Sequence, residues 1–322
     1  MPHRDATRRR RRAGQALGLT PGRTAPAGSV PAEPTAVRGT IVDASPHVLV
    51  LDTGGEPIRL PLTPTTSIWY GGRSGLHALV PGREAIVRPS ADGPGVERVW
   101  VDITRVTGTI LDRSQRAVEV DQGPHRGSAE VAIPDRVLHR ILVRHPRLEP
   151  GELMDVICVR SPDGPRAVRP GTSQPAQRIT PAAVDAPSPT TVQGTATWFR
   201  SDPDAGAARG AAYPAVDPEG HAGGCADAPP GCAPLPYLSQ GSELIVHNEC
   251  TGRATAVPVV ECGCVAARYC DRCVECGTSP RGRVVELTPE AFVDLGGDLD
   301  AGCFNARLDL TATAVRSRPE GT

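Results

Sequence analysis

Apolar residues recur at every second position in short runs along the chain. Examples are Ile58, Leu60 and Leu62; Val118 and Val120; Val131 and Ile133; and Phe304, Ala306, Leu308 and Leu310. A period of two is the strand period, because successive side chains point to opposite faces of a sheet. Turn residues separate the runs. Asp52-Thr-Gly-Gly-Glu56 and Ser161-Pro-Asp-Gly164 read as hairpins, with glycine supplying the positive φ. One segment breaks the pattern: Thr288 is a helix N-cap, Pro289 suits the first helical position, Glu290 falls in the first turn, and Gly296-Gly297 ends the helix. The predicted class is mainly all-β with one short helix.

The strand pattern repeats. Val37-Arg-Gly-Thr-Ile41 returns as Val106-Thr-Gly-Thr-Ile110, 69 residues later, and Leu79-Val-Pro-Gly82 returns as Leu148-Glu-Pro-Gly151 at the same offset. Two small β-barrel repeats are therefore expected, over 37–105 and 106–169. Both resemble tandem oligonucleotide-binding-like modules of bacterial envelope proteins in pattern alone, which says little about a ligand. Residues 1–36 are Arg-, Pro- and Ala-rich without periodicity and read as disordered. Residues 170–193 read as a Pro/Ser/Thr linker, 194–313 as a further folded unit and 314–322 as a tail.

Composition narrows the chemistry. All 35 basic residues of the 322-residue chain are arginine, so a Schiff-base lysine, a P-loop lysine and a Ser-Lys dyad are excluded. Net charge is −1, and aromatics make up 3% of the chain. Neither favours a nucleic-acid partner. No run approaches the length of a membrane span. Arg8–Arg12 followed by Ala13–Leu19 is like a secretory signal with a stunted apolar part; the other reading is a basic tail.

Nine of the ten cysteines fall between positions 225 and 303: Cys225, Cys232, Cys250, Cys262, Cys264, Cys270, Cys273, Cys276 and Cys303. Such density suits disulfides in an oxidising, extracellular or wall-associated setting. In a cytoplasmic protein, the spacing of Cys262, Cys264, Cys270, Cys273 and Cys276 would instead suit zinc. Cys158 lies in an apolar strand and reads as a small core residue.

Several segments in order point to one architecture. They are Gly194-Thr-Ala-Thr-Trp-Phe199, Leu238-Ser-Gln-Gly-Ser-Glu-Leu-Ile-Val-His-Asn248, Thr251-Gly-Arg253, Glu261-Cys-Gly-Cys264 and Val285-Glu-Leu-Thr288. Together they resemble the rare lipoprotein A family, whose fold is the six-stranded double-psi β-barrel shared with barwin and expansin domains. The family's two aspartates are glutamates here, Glu261 and Glu286, and a longer cysteine-bearing loop, 265–282, follows the first.

The resemblance implies an envelope protein that binds, and as a lytic transglycosylase cleaves, peptidoglycan glycan. One carboxyl of raised pKa would protonate the glycosidic oxygen and then deprotonate the sugar's own hydroxyl. Glu261 and Glu286 are the catalytic candidates; Trp198, Phe199, His247 and Asn248 are the sugar-binding candidates. No cofactor or metal is expected. The added methylene of each glutamate works against catalysis, because a displacement of about 1 Å costs about 100-fold. The competing reading makes Glu261 a structural acid paired with Arg253, Arg283 or Arg307. A non-enzymatic barwin-like binder or protease inhibitor, meeting a protein partner through loop 265–282, stands beside the enzyme reading, as does an intracellular zinc-loop protein.

Overall fold

The computed structural model describes residues 35–172, 190–200, 208–216, 235–263 and 265–310. The segment 1–34, most of the linker, the tail, Cys225, Cys232 and Cys264 lie outside them. The fold is mainly β.

The first module comprises β1 (Val37–Ala44), β2 (Val48–Asp52), β3 (Ile58–Pro61), β4 (Ser67–Trp69), β5 (Arg73–Ser74), β6 (Glu84–Pro89) and β7 (Val96–Val101). These form one seven-stranded sheet in the order β3-β2-β1-β6-β7-β4-β5, with β3 and β5 as its unpaired edges, in place of the closed β-barrel expected over 37–105. The second comprises β8 (Ile103–Arg113), β9 (Ala117–Asp121), β10 (Ser128–Ala132), helix α1 (Asp135–Arg144), β11 (Leu153–Ser161) and β12 (Gly164–Pro170). Its strands close into a five-stranded barrel, β10-β12-β11-β8-β9.

The 69-residue repeat has a structural counterpart at each landmark. Strand β1 bulges against β2 between Ile41 and Asp43, and β8 bulges against β9 between Ile110 and Asp112. Gly82 N–H donates to the Ile41 carbonyl at 2.8 Å, and Gly151 N–H donates to the Ile110 carbonyl at 2.8 Å. A Cβ on Gly39 would stand 2.5 Å from the Asp52 carbonyl oxygen; one on Gly108 would stand 1.9 Å from that of Asp121. Both glycines are thus fixed by the close approach of a neighbouring strand. Helix α1 has no counterpart in the first module, where β4 and β5 occupy the same stretch of the repeat. It buries Val137 and Ile141, and the sequence reading, guided by period-two alternation, did not anticipate it.

The third unit is a closed six-stranded barrel: β13 (Thr191–Trp198), β14 (Ala211–Tyr213), β15 (Glu243–Asn248), β16 (Ala254–Cys262), β17 (Arg283–Leu287) and β18 (Cys303–Asp309), in the order β13-β17-β14-β16-β15-β18. Two of its pairings, β13 with β17 and β14 with β16, are parallel, and the rest are antiparallel. Helix α2 (Pro289–Asp294) follows β17 and ends in the positive-φ Gly296. Thr288 occupies its N-cap position, but the hydroxyl accepts from Gly210 N–H at 3.1 Å instead of from a helix amide.

The three units share a core. Trp69, Ile86 and Trp100 of the first, Ile157 and Val159 of the second, and Val192, Trp198, Phe292 and Phe304 of the third belong to one buried cluster.

Candidate functional site

Register explains how the two glutamates meet. Ala212 of β14 lies opposite Glu261 on β16 and opposite Glu286 on β17. The acids therefore flank one small residue in a single cross-strand row, about 10 Å apart in backbone terms, given strand spacings near 4.8 Å. Side chains in such a row share a face, and alanine between them leaves room for a third group.

That group is Arg126, from the β9–β10 hairpin of the second module. Its Nε donates to Glu261 Oε1 at 2.9 Å, its Nη2 makes a second contact to the same oxygen, and its Nη1 donates to Glu286 Oε2 at 3.1 Å. The guanidinium also lies 4.2 Å from the centre of the Phe199 ring. Arg283 Nη1 stands 3.6 Å from the other Glu286 oxygen. Glu286 is fully buried, and 22% of the Glu261 side chain is exposed. Burial works against the charge on Arg126, yet the carboxylates of Glu286 and Glu261 outweigh it and hold the guanidinium charged above its ordinary range.

Both acids are thus paired with arginine. The partner of Glu261 is Arg126, not Arg253, Arg283 or Arg307. Arg253 donates to the Asp294 carbonyl, and Arg307 engages Asp309 and Glu249. The signal for Arg126 was present in the repeat: position 126 corresponds to Pro57 in the first copy, so the second hairpin carries a long cation where the first carries none.

The sugar-binding candidates occupy other roles. Trp198 and Phe199 are buried, and Trp198 Nε1 donates to the Leu299 carbonyl at 2.8 Å, so neither ring offers a face for stacking. The strand ends inside the shared core, which pattern alone did not reveal. Asn248 is buried as well. Its Nδ2 donates to the Leu295 carbonyl and its Oδ1 accepts from Cys250 N–H, tying β15 to α2. His247 is half-buried between Asp309 (2.8 Å) and Arg307 (2.9 Å).

The cysteine loop is largely a docking element. Tyr269, buried, donates from its hydroxyl to the Met154 carbonyl at 2.5 Å and accepts from Gly108 N–H at 3.1 Å. Arg283 pairs with Asp271 of the loop at 3.1 Å and with Asp155 of the second module. Asp155 also takes a two-point contact from Arg105, at 2.8 and 2.6 Å. Burial pushes the Asp155 carboxyl up, but Arg105 and Arg283 override it and hold it well below the usual carboxylate range. Among the described residues of the loop, Arg272, the stretch 274–278, Pro280 and Arg281 face outward.

Disulfide bonding overturns the zinc reading. Cys250 is bonded to Cys276, and Cys262 and Cys270 are disulfide-bonded too, so those sulfurs are not available to a metal. Among the described residues, no group of His, Cys, Asp and Glu is arranged to hold a metal ion. Cys273 and Cys303 are buried thiols with sulfurs 2.8 Å apart, and Cys158 is a buried core thiol, as its strand position suggested. No helix among the described residues is long and apolar enough to cross a membrane.

No protein-family model and no curated protein matches the chain. Among solved structures, it is similar to a multidomain protein with nucleic acid binding domains from Streptococcus pneumoniae. The identity is 11% over 79% of this chain and 72% of that one, with a TM-score of 0.16. A likeness of that size fixes neither fold nor function.

Proposed function

We propose that the chain is a non-catalytic binding protein of the cell envelope, whose acid pair serves as a socket for Arg126 and whose ligand is wall glycan. The observation that carries the non-catalytic half is the occupation of both carboxylates by one guanidinium. A general acid must lie within hydrogen-bond reach of the leaving oxygen, and here the Arg126 guanidinium fills the space between the two carboxylates. Disulfides support an oxidising compartment. The glycan half rests on the resemblance of the barrel's motifs to the rare lipoprotein A family.

Purified protein incubated with peptidoglycan sacculi and with denuded glycan strands tests both halves. The reading expects co-sedimentation with sacculi and no anhydro-sugar products, from the wild type or from Arg126→Ala. Anhydro products from the wild type refute the non-catalytic half. Products from the variant alone make Arg126 a removable latch on a lytic enzyme. Absence of co-sedimentation removes the glycan ligand.

A further inference from the structure

We propose that a cleft between α1 and β12 of the second module binds phosphate groups. Arg140 and Arg144 line it from the helix, Arg169 from the strand, with His139 at its side and Val143 and Pro170 as apolar wall. No carboxylate contributes to the lining. The site is on the second module and does not involve the acid pair.

The cleft arginines lack counter-ions. The buried or half-buried Arg38, Arg88, Arg98, Arg105, Arg126, Arg160 and Arg283 each meet a carboxylate within 4 Å, whereas Arg113, Arg116 and Arg136, which form no ion pair among the described residues, are exposed. Among the described residues, Arg140, Arg144 and Arg169 form no ion pair and no side-chain hydrogen bond. Arg144 and Arg169 are half-buried, so their charge is partly removed from water without compensation. Arg140 and Arg144 are also four residues apart on one helix, a spacing at which like charges repel.

A cation at a helix C-terminus is ordinary, which accounts for Arg144. It does not account for Arg140 one turn earlier or for Arg169 on the facing strand. Three planar forks converging on a concave wall match an anion with several oxygens and up to two charges, and phosphate fits that description. No Phe, Tyr or Trp lines the cleft, so recognition is assigned to the phosphate and not to a stacked base. Exposed Val143, at 64%, adds an apolar rim. A soluble phosphorylated molecule and an anionic lipid headgroup both present this chemistry.

Calorimetric titration with inorganic pyrophosphate addresses the soluble source. Flotation with phosphatidylglycerol vesicles, against phosphatidylcholine vesicles, addresses the lipid source. Binding in either arm supports the site and names the source. The double variant Arg144→Ala/Arg169→Ala should weaken that binding by about tenfold or more, since each lost fork removes charge-assisted bonds. Arg144→Lys/Arg169→Lys should recover part of it, because charge remains and the fork is lost. Arg136→Ala, on the same helix but outside the cleft, should change it less than about twofold, as a nonspecific charge would be screened. Unchanged unfolding midpoints show that the variants fold. The proposal fails if neither probe binds at low salt, if the double variant binds like wild type, if Arg136→Ala weakens binding as much, or if citrate displaces pyrophosphate on equal terms. Sedimentation with sacculi is unaffected by these variants if the glycan reading holds, so the two proposals fail separately.

Discussion

Arg126 stands where the first repeat has Pro57, and that one difference converts a free hairpin into a tether between two modules. At the same scale, two buried titratable groups make stability depend on pH. His145 is buried with its Nε2 2.9 Å from the Asp155 carbonyl, and burial pulls its pKa below the usual value. The unfolded chain therefore takes up a proton near pH 6.5 while the folded one does not, so stability is present above about pH 6.5 and falls as the pH drops below it. Asp155 has a depressed folded pKa, so its contribution is present above about pH 4 and is lost as the pH falls further toward the folded value. Denaturant melts from pH 8 to 3 should show His145→Gln flattening the upper part of this slope and Asp155→Asn the lower. A parallel, unflattened slope in either variant contradicts its assignment. Asp155→Asn should also cost about 3–5 kcal/mol at pH 7, because it leaves Arg105 and Arg283 buried without their counter-charge.

At the scale of the element, much of the fold was legible in the sequence. Alternation marked β9, β10 and β18, the 69-residue echo marked the two bulged strands β1 and β8, and Thr288, Pro289 and Gly296 bracketed α2. These features are local, so a short stretch of chain encodes them. Helix α1 was missed because it replaces β4 and β5 within an otherwise faithful repeat. The fates of Trp198, Phe199 and loop 265–282 were not legible, because each is decided by what another module brings against it. Gly108 offers a direct check on the repeat geometry. Gly108→Ala should destabilise by about 1–3 kcal/mol or more, and by more than Gly39→Ala, since its Cβ would approach the facing carbonyl more closely. Equal or negligible losses in thermal melts would contradict that. The Cys273–Cys303 pair gives a second check. Each sulfur gives up a hydrogen to an added disulfide such as oxidised glutathione, which is reduced as the protein bridge closes. Mass spectrometry should then find the peptides carrying Cys273 and Cys303 joined under non-reducing conditions and separate after reduction; recovery of both as free thiols after such treatment would contradict the geometry.

At the scale of the whole molecule, arginine is the fastener. Arg88 and Arg98 of the first module reach Asp298 and Asp300 of the third at 3.0 and 2.8 Å, and Trp100 Nε1 joins them on Asp300. Arg160 of the second reaches Glu84 of the first at 2.8 Å. Arg105, Arg283 and Arg126 join the second and third. With no lysine in the chain, each fastener is a planar fork able to make two directed bonds. Together with the shared core, these links should make residues 35–310 unfold in one calorimetric transition; separate transitions for the repeats and the C-terminal barrel would contradict a single body. The account turns on whether Arg126 and the acid pair are one energetic unit. A double-mutant cycle on unfolding free energy, with Arg126→Ala, Glu286→Gln and the double variant, measures this directly. The structure predicts a coupling of about 1–3 kcal/mol. Single effects that simply add, to within about 0.5 kcal/mol, would show that the arginine does not occupy the socket in solution.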